Sequence, residues 1–248
     1  MIRIRGLRKK LGSRWVLDGV DLDIPEGKTL VIMGRSGTGK SVLLKHIIGL
    51  MHPDAGTIEV DGEEIVGLKK NELNRVRKRF GMLFQSAALF DSLTVGENVA
   101  LPLREHTKLA NDEILRRVAE RLDWVGLENI EEMIPASLSG GMRKRVGLAR
   151  ALAMDPAYIL YDEPTTGLDP IMSDVINRLI RSLQARIGVT SVVVTHDLRS
   201  AYHVGDVVAM LNQGRVVFTG TTEEARTTSD PFVHQFIEGS SEGPEQPL

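Results

Sequence analysis

The segment GRSGTGKS, Gly34–Ser41, sets glycines, a lysine and a hydroxyl in the spacing G-x-x-x-x-G-K-[ST]. Backbone N–H groups of Gly37, Gly39 and Lys40 can wrap a phosphate there, and a following helix start adds roughly half a positive charge. Lys40 is expected to reach the β- and γ-phosphates of a nucleotide and Ser41 to ligate Mg²⁺. Gly34, Arg35, Ser36 and Thr38 complete the nucleotide-contacting loop. Downstream, YILYDEP places Asp162 and Glu163 at the end of an apolar run. Asp162 suits the metal, and Glu163 could polarise an attacking water as a general base, worth roughly 10²–10⁴ in rate. His196 closes the run VVVTHD and Gln85 follows FGMLF. His196 could hydrogen-bond a γ-phosphate, and Gln85 could hold the metal or the water. The chemistry such a set performs is hydrolysis of a terminal phosphate.

Each of these residues needs an element to carry it. TLVIM (Thr29–Met33) is a continuous apolar run, as in a strand buried on both faces, and a helix is predicted from about Lys40 to Leu50. FGMLF, YILY and the β-branched VTSVVVT (Val189–Thr195) read as further strands. Gly34, Gln85, Asp162 and His196 then lie at or just past the carboxyl ends of strands, the edge along which open α/β sheets bind ligands. Residues 1–33 otherwise read as short strands, GVDLDI alternating as a half-buried one. TIEVDGEEI reads as a hairpin turning at Asp61-Gly62, and Asn212-Gln213-Gly214 marks another. Residues 111–125 predict a helix with Ile114, Leu115, Val118, Leu122 and Val125 on one stripe. Another helix is predicted from Pro170 to Arg186. Strands alternating with helices imply an α/β fold on a parallel sheet. The early strands and a helical block near 100–155 are additions to it.

LSGGMRKRVGLARALAMDP raises a different question. Ser139 reads as a helix N-cap, and Gly140 and Gly141 clear side chains where backbone could touch a ligand. The result is a helix start suited to an anion. In GLDP, Asp169 caps a helix with Pro170 at its first position.

The bulk numbers narrow the class. The 248 residues allow one large domain or two small ones, and 42% hydrophobic content can fill a core. A net charge of −2 exerts no strong pull toward nucleic acid. The absence of cysteine excludes disulfides and thiolate metal sites and suits a reducing compartment. The N-terminus lacks a signal-peptide pattern, and no apolar run approaches the roughly 20 residues of a membrane span. Residues 239–248, GSSEGPEQPL, have a disorder-type composition.

Taken in order, GRSGTGKS, Gln85, LSGG, YILYDEP with Glu163, GLD and His196 resemble the motif set of ATP-binding cassette (ABC) ATPases over roughly residues 2–225. That resemblance implies a P-loop NTPase with a RecA-like parallel core, an antiparallel β-subdomain and an α-helical signature subdomain at about 86–155. The cassette would span 1–238, with a flexible tail at 239–248. It implies ATP and Mg²⁺ as cofactors, Glu163, His196 and Gln85 as catalytic residues, and Ser41, Gln85 and Asp162 around the metal. It also implies a head-to-tail pairing with a second copy. Ser139, Gly140, Gly141 and Met142 would then meet the ATP held by the partner, with Asp169 at the same interface. Two positions depart from the family pattern. Met142 stands where the signature has glutamine, and Leu11 stands where an aromatic stacks on adenine, with Trp15 close by.

FGMLFQSAALFDSLTVGENVALPLREHT (Phe80–Thr107), LSGGM with its basic RKR, and DPFVHQFIEG resemble, more narrowly, the ATPase subunits of Mla/Mce-type phospholipid transporters. This implies a peripheral protein on the cytoplasmic face of the inner membrane that powers phospholipid movement between that membrane and the outer envelope. Its partners would be a multi-pass MlaE-like permease, an MlaD-like MCE lipid-binding protein and, in some systems, an MlaB-like STAS protein, with no nucleic acid. SAALFDSLTV is apolar yet falls in a loop, which suits a docking surface for the permease. The alternative is a loop folded on its own core. Arg104, Glu105 and His106 would touch the permease or form a solvated corner. The basic run Leu68–Phe80 reads as a solvated helix face, and the segment near 230–239 could wrap a second copy. The competing functions are an ABC transporter ATPase for another substrate, a non-transport ABC ATPase, and an ATP-binding scaffold that rarely hydrolyses.

Overall fold

The chain opens with a hairpin, β1 (Ile2–Leu11) and β2 (Arg14–Ile24), in the computed structural model, which describes residues 1–240 and 242–244. Both strands are longer than the short strands the sequence suggests. Register shifts between Ile4 and Arg8, with Gly6 at φ 55°, bend β1 without ending it. After β3 (Thr29–Met33) and α1 (Lys40–Ile47) come β4 (Ala55–Val60) and β5 (Glu63–Glu64). They turn at Asp61-Gly62, both with positive φ, as that dipeptide predicts. The antiparallel sheet runs β2-β1-β4-β5.

The second sheet collects the apolar runs. It adds β6 (Phe80–Leu83), β7 (Tyr158–Asp162), β8 (Thr190–Val194), β9 (Val207–Asn212) and β10 (Arg215–Thr221) to β3. Its order is β10-β9-β3-β8-β7-β6, parallel except for β10 at the edge. Alternate side chains serve two cores. Val31, Met33, Ile159, Tyr161 and Val193 face the core built with most of the helices. Leu30, Ile32, Leu160, Val192 and Val194 face the core shared with α1 and the antiparallel sheet. Burial on both faces is why these strands read as unbroken apolar runs.

The helices are α2 (Lys70–Arg77), α3 (Val95–His106), α4 (Asn111–Trp124), α5 (Gly140–Leu152), α6 (Pro170–Ile187), α7 (Leu198–Val204), α8 (Thr222–Thr227) and α9 (Pro231–Glu238). On α4, Ile114, Val118, Leu122 and the following Val125 are buried, but Leu115 is half exposed. It lies about 100° around the helix from Ile114 and leaves the stripe. α1 stops at Ile47, short of the expected Leu50, because Gly49 turns left-handed. α2 buries Leu73 and Val76, and Arg77 caps the carbonyls of Ile48 and Gly49. α9 folds onto its own chain, with Val233 fully buried and Phe232, Phe236 and Ile237 against the helical core. The tail expectation at Ser241 and 245–248 lies outside the described residues.

Candidate functional site

Strand pairing assembles the site. β3, β8, β7 and β6 are neighbours in the parallel sheet, so the residues after Met33, Val194, Asp162 and Leu83 emerge along one edge. A cavity of about 1070 Å³ opens there, and Arg35, Ser36, Gly37, Gly39, Lys40 and Ser41 form one wall. Gln85, Glu163 and His196 lie across from them.

The glycine loop owes its shape to close approach. A β-carbon at Gly39 (φ 103°) would sit 2.7 Å from the Val16 carbonyl, and one at Gly34 would sit 2.3 Å from the Leu211 carbonyl. Gly37 (φ 80°) has open space where a β-carbon would be, so there conformation alone demands glycine. Lys40 is buried, and Nζ donates to the carbonyls of Gly34 at 2.7 Å and Arg35 at 2.9 Å. It also lies 4.0 Å from Oε1 of Glu163. Burial lowers its pKa from the ordinary lysine value, opposed by the charges of Glu163 and Asp162. The Ser41 hydroxyl donates to Oδ1 of Asp162 at 2.7 Å. Thr38 turns inward to the Arg35 carbonyl at 2.9 Å and borders the loop without lining the cavity.

Glu163 is buried in an unusual backbone state, φ 50°. Residues of its kind adopt that state only where their surroundings enforce it, and such strain clusters at functional sites. Its N–H donates to the Val194 carbonyl at 2.9 Å, and its carbonyl accepts from Nζ of Lys144 at 3.2 Å. The side chain is held as well: Oε2 accepts from Thr166 at 3.1 Å and stands 2.9 Å from Nδ1 of His196.

Ser139, Gly140, Gly141 and Met142 do not line this cavity. Ser139 caps α5, its hydroxyl accepting from Met142 N–H at 3.2 Å, and both Ser139 and Gly140 are exposed. Gly141 is buried, and a β-carbon there would meet Cε of Met172 at 2.4 Å. Asp169 is exposed and caps α6 through Oδ1, accepting from Ile171 at 2.9 Å and Met172 at 3.0 Å. The turn at Ser139–Gly141 is thus no part of the cavity built on the chain's own glycine loop.

Leu11 lines the cavity with Val16, whereas Trp15 does not and is half exposed beside the Lys10 ammonium. Val16, Val42 and Leu198, apolar neighbours of the motif residues, also line the cavity although no motif marks them. Phe232 and Phe236, likewise outside every motif, bring α9 to the cavity wall. Their i, i+4 spacing was the available signal.

A second, apolar cleft of about 530 Å³ lies beside Gln85, between α3, β6 and α5. Phe84, Phe90, Leu101 and Pro102 line it, with Glu105 and His106 at its margin, while Arg104 stays outside. The loop before α3 is neither wholly exposed nor wholly folded inward. Ala87 is buried and Phe90 half exposed, and buried Asn98 ties the carbonyls of Phe90, Leu93 and Thr94.

Among the described residues, no helix is long and apolar enough to cross a membrane. Residues 17–166 match the profile of a family described as ABC transporter. The chain is 46% identical over 243 residues to the "probable ribonucleotide transport ATP-binding protein mkl" of Mycobacterium leprae, covering 98% of this chain and 70% of that one. It is 43% identical over 244 residues to the "intermembrane phospholipid transport system ATP-binding protein MlaF" of Haemophilus influenzae, covering 98% of this chain and 92% of that one. The Escherichia coli K12 MlaF is 41% identical, with 98% and 91% covered. The cassette MJ0796, solved as a dimer in a post-hydrolysis state bound to ADP and Pi, aligns with TM-score 0.83 at 36% identity. That alignment covers 90% of this chain and 99% of that one.

Proposed function

This chain belongs to the ABC transporter family, and from that membership we propose that it is the ATP-hydrolysing motor of a phospholipid transporter working between inner membrane and outer envelope. The ATPase activity belongs to the family, and the cargo is our inference. One observation carries it: the match to MlaF proteins runs over 98% of this chain and 92% of the Haemophilus influenzae protein. The mkl relatives are slightly more identical, and their name supports a second reading, ribonucleotide transport. This chain spans only 70% of the Mycobacterium leprae protein.

Within the proposed site, Gly34, Arg35, Ser36, Gly37, Thr38, Gly39 and Lys40 bind the phosphates, and Leu11 supports the base by apolar contact. Ser41, Asp162 and Gln85 would hold Mg²⁺. The fit is chemical: Ser41 and Asp162 already place two hard oxygens 2.7 Å apart beside the glycine loop. The bound metal supplies charge neutralisation at the phosphates. Glu163 takes a proton from the attacking water, His196 and Thr166 orient its carboxylate, and His196 also faces the γ-phosphate. Ser139 and Gly140, both exposed, with Gly141 and Met142 behind them, reach the nucleotide of a second copy, as the dimeric state of MJ0796 supports. Asp169 lies at that same interface. In this reading residues 1–238 form the cassette, 86–155 its helical part and 239–248 its tail.

The apolar cleft beside Gln85 receives a cytoplasmic segment of an MlaE-like permease, which itself works with an MlaD-like lipid-binding protein and, where present, an MlaB-like one. The chain is then peripheral, on the cytoplasmic face. The test is a mild-detergent pull-down from its own membranes, with mass spectrometry of proteins and lipids. A multi-pass permease with an MCE-domain chain and phospholipid is the expected result. A permease without lipid, or with bound ribonucleotide, would overturn the cargo and leave the ATPase standing.

A further inference from the structure

Lys144 is buried on α5, in the second turn after the N-cap Ser139, and its Nζ donates to two carbonyls: Gln85 at 2.5 Å and Glu163 at 3.2 Å. Neither carbonyl belongs to α5. One sits on the loop after β6, the other just past β7. Lys144, Gly147 and Arg150 are spaced three apart and form one ridge along the helix. A β-carbon at Gly147 would lie 3.0 Å from Leu83 and 3.1 Å from the Ala87 side chain. Arg150 donates to the carbonyls of Ala87 and Ala88, each at 2.8 Å. Ala87 and Ala88 both have positive φ, 63° and 48°. α5 therefore grips the Gln85 loop at three successive points, and Lys144 extends that grip to Glu163.

The Glu163 contact bears on the reaction. The residue holds a left-handed backbone that persists only when over-determined. Val194 fixes its N–H and Lys144 fixes its carbonyl, so the peptide planes on both sides of the α-carbon are set. Burying an ammonium for this is costly unless its bonds are well made. A purely space-filling role would suit an apolar side chain.

We propose that Lys144 is a positioning residue that fixes the backbone of Glu163 and the Gln85 loop to the signature helix, so that α5, presented to a second copy, sets the geometry of hydrolysis in its own chain. This rests on the proposed roles of Glu163, Gln85 and Ser139. Docking of α5 on the partner's nucleotide then reaches the chain's own general base through one side chain.

The test uses the full chain as wild type, Lys144→Met, Lys144→Arg, Lys144→Gln and Glu163→Gln. Steady-state hydrolysis, affinity for a fluorescent ATP analogue and thermal midpoint are measured together. Lys144→Met is expected to lower kcat about tenfold or more, with KM and analogue affinity within about twofold of wild type. Lys144→Arg, which can still donate to both carbonyls, recovers most of kcat. Lys144→Gln, able to reach one carbonyl, falls between, and carries the test if the methionine variant does not fold. Lys144→Met with kcat within about twofold of wild type overturns the proposal. So does a parallel loss of kcat and affinity that arginine does not recover. The Glu163→Gln arm separates the two levels. Wild-type turnover there removes the Glu163 assignment itself, whereas an inactive Glu163→Gln beside a fully active Lys144→Met removes only the positioning role.

Discussion

Nδ1 of His196 lies 2.9 Å from Oε2 of Glu163, although the two residues come from different strands. β7 and β8 are parallel with Asp162 opposite Val194, so the chain segments leaving them start side by side. The pair is thus a product of register: a slip of β7 against β8 would move one of the two segments along the strand direction and part the side chains.

Glu163→Gln keeps the shape of this side chain and removes its basicity. Steady-state phosphate release should fall by about 10²–10⁴, with nucleotide binding retained. Because hydrolysis no longer separates the halves, ATP should hold the variant as a dimer. Light scattering after size exclusion, with and without ATP, checks this. Turnover near the wild-type rate would remove Glu163 as the base.

Lys40→Ala and Ser139→Ala should fail in different ways. Lys40 touches the chain's own glycine loop, so its loss should weaken nucleotide binding by the isolated chain. Ser139 lies outside that cavity, so its loss should lower hydrolysis and leave the isolated chain's affinity unchanged. Equilibrium titration with a fluorescent nucleotide beside a turnover assay separates the two. Equal loss of affinity in both would defeat the head-to-tail arrangement.

Leu11→Tyr should tighten nucleotide binding, because a ring on this cavity wall can stack on the base. The gain is about 0.5–1.5 kcal/mol, several-fold in Kd. Trp15→Ala should leave Kd unchanged, since Trp15 is not part of the wall. Calorimetric titration of both variants decides it.

Asp206 gives a pH signature away from the site. Burial raises its pKa, but bonds from Thr29 N–H (2.8 Å), Gln184 (2.7 Å) and Arg181 (3.0 Å) outweigh burial and hold it below 3.8. A depressed carboxylate adds stability above its unfolded pKa and loses it as pH falls through the folded one. Asp206→Asn should therefore cost about 1–3 kcal/mol near neutrality. The gap to wild type should close as pH drops below 3.8. Urea unfolding at several pH values measures it, and a gap constant with pH would refute the assignment.

The strands of the parallel sheet were legible because burial on both faces leaves an unmistakable apolar run, as in Thr29–Met33. The phosphate loop was legible because Gly34, Gly37 and Gly39 answer to steric rules that a sequence displays. Glu163 was selected by its neighbours, but nothing in the sequence announces its positive φ, which depends on Val194 and Lys144 arriving from elsewhere. Leu115 shares the apolar stripe of α4 but not its buried face, because the stripe is wider than the face that packs. Phe232 and Phe236 were hidden for a related reason: α9 reaches the cavity beside the glycine loop by tertiary packing, from the far end of the chain.

The carbonyl of Val16 has a consequence for dissecting this protein. Space beside it is shared by Gly39 of the phosphate loop and Gly214 of the turn between β9 and β10, whose β-carbons would lie 2.7 and 2.8 Å away. Gly214 is also bonded to the amide of Asp18 at 2.8 Å. A strand of the antiparallel sheet therefore serves as the mould against which the glycine loop is cast. The antiparallel layer is no detachable accessory. Trimming the chain to its parallel sheet would remove the surface that gives the loop its curvature, and a minimal fragment must keep β2 to keep the glycine loop in shape.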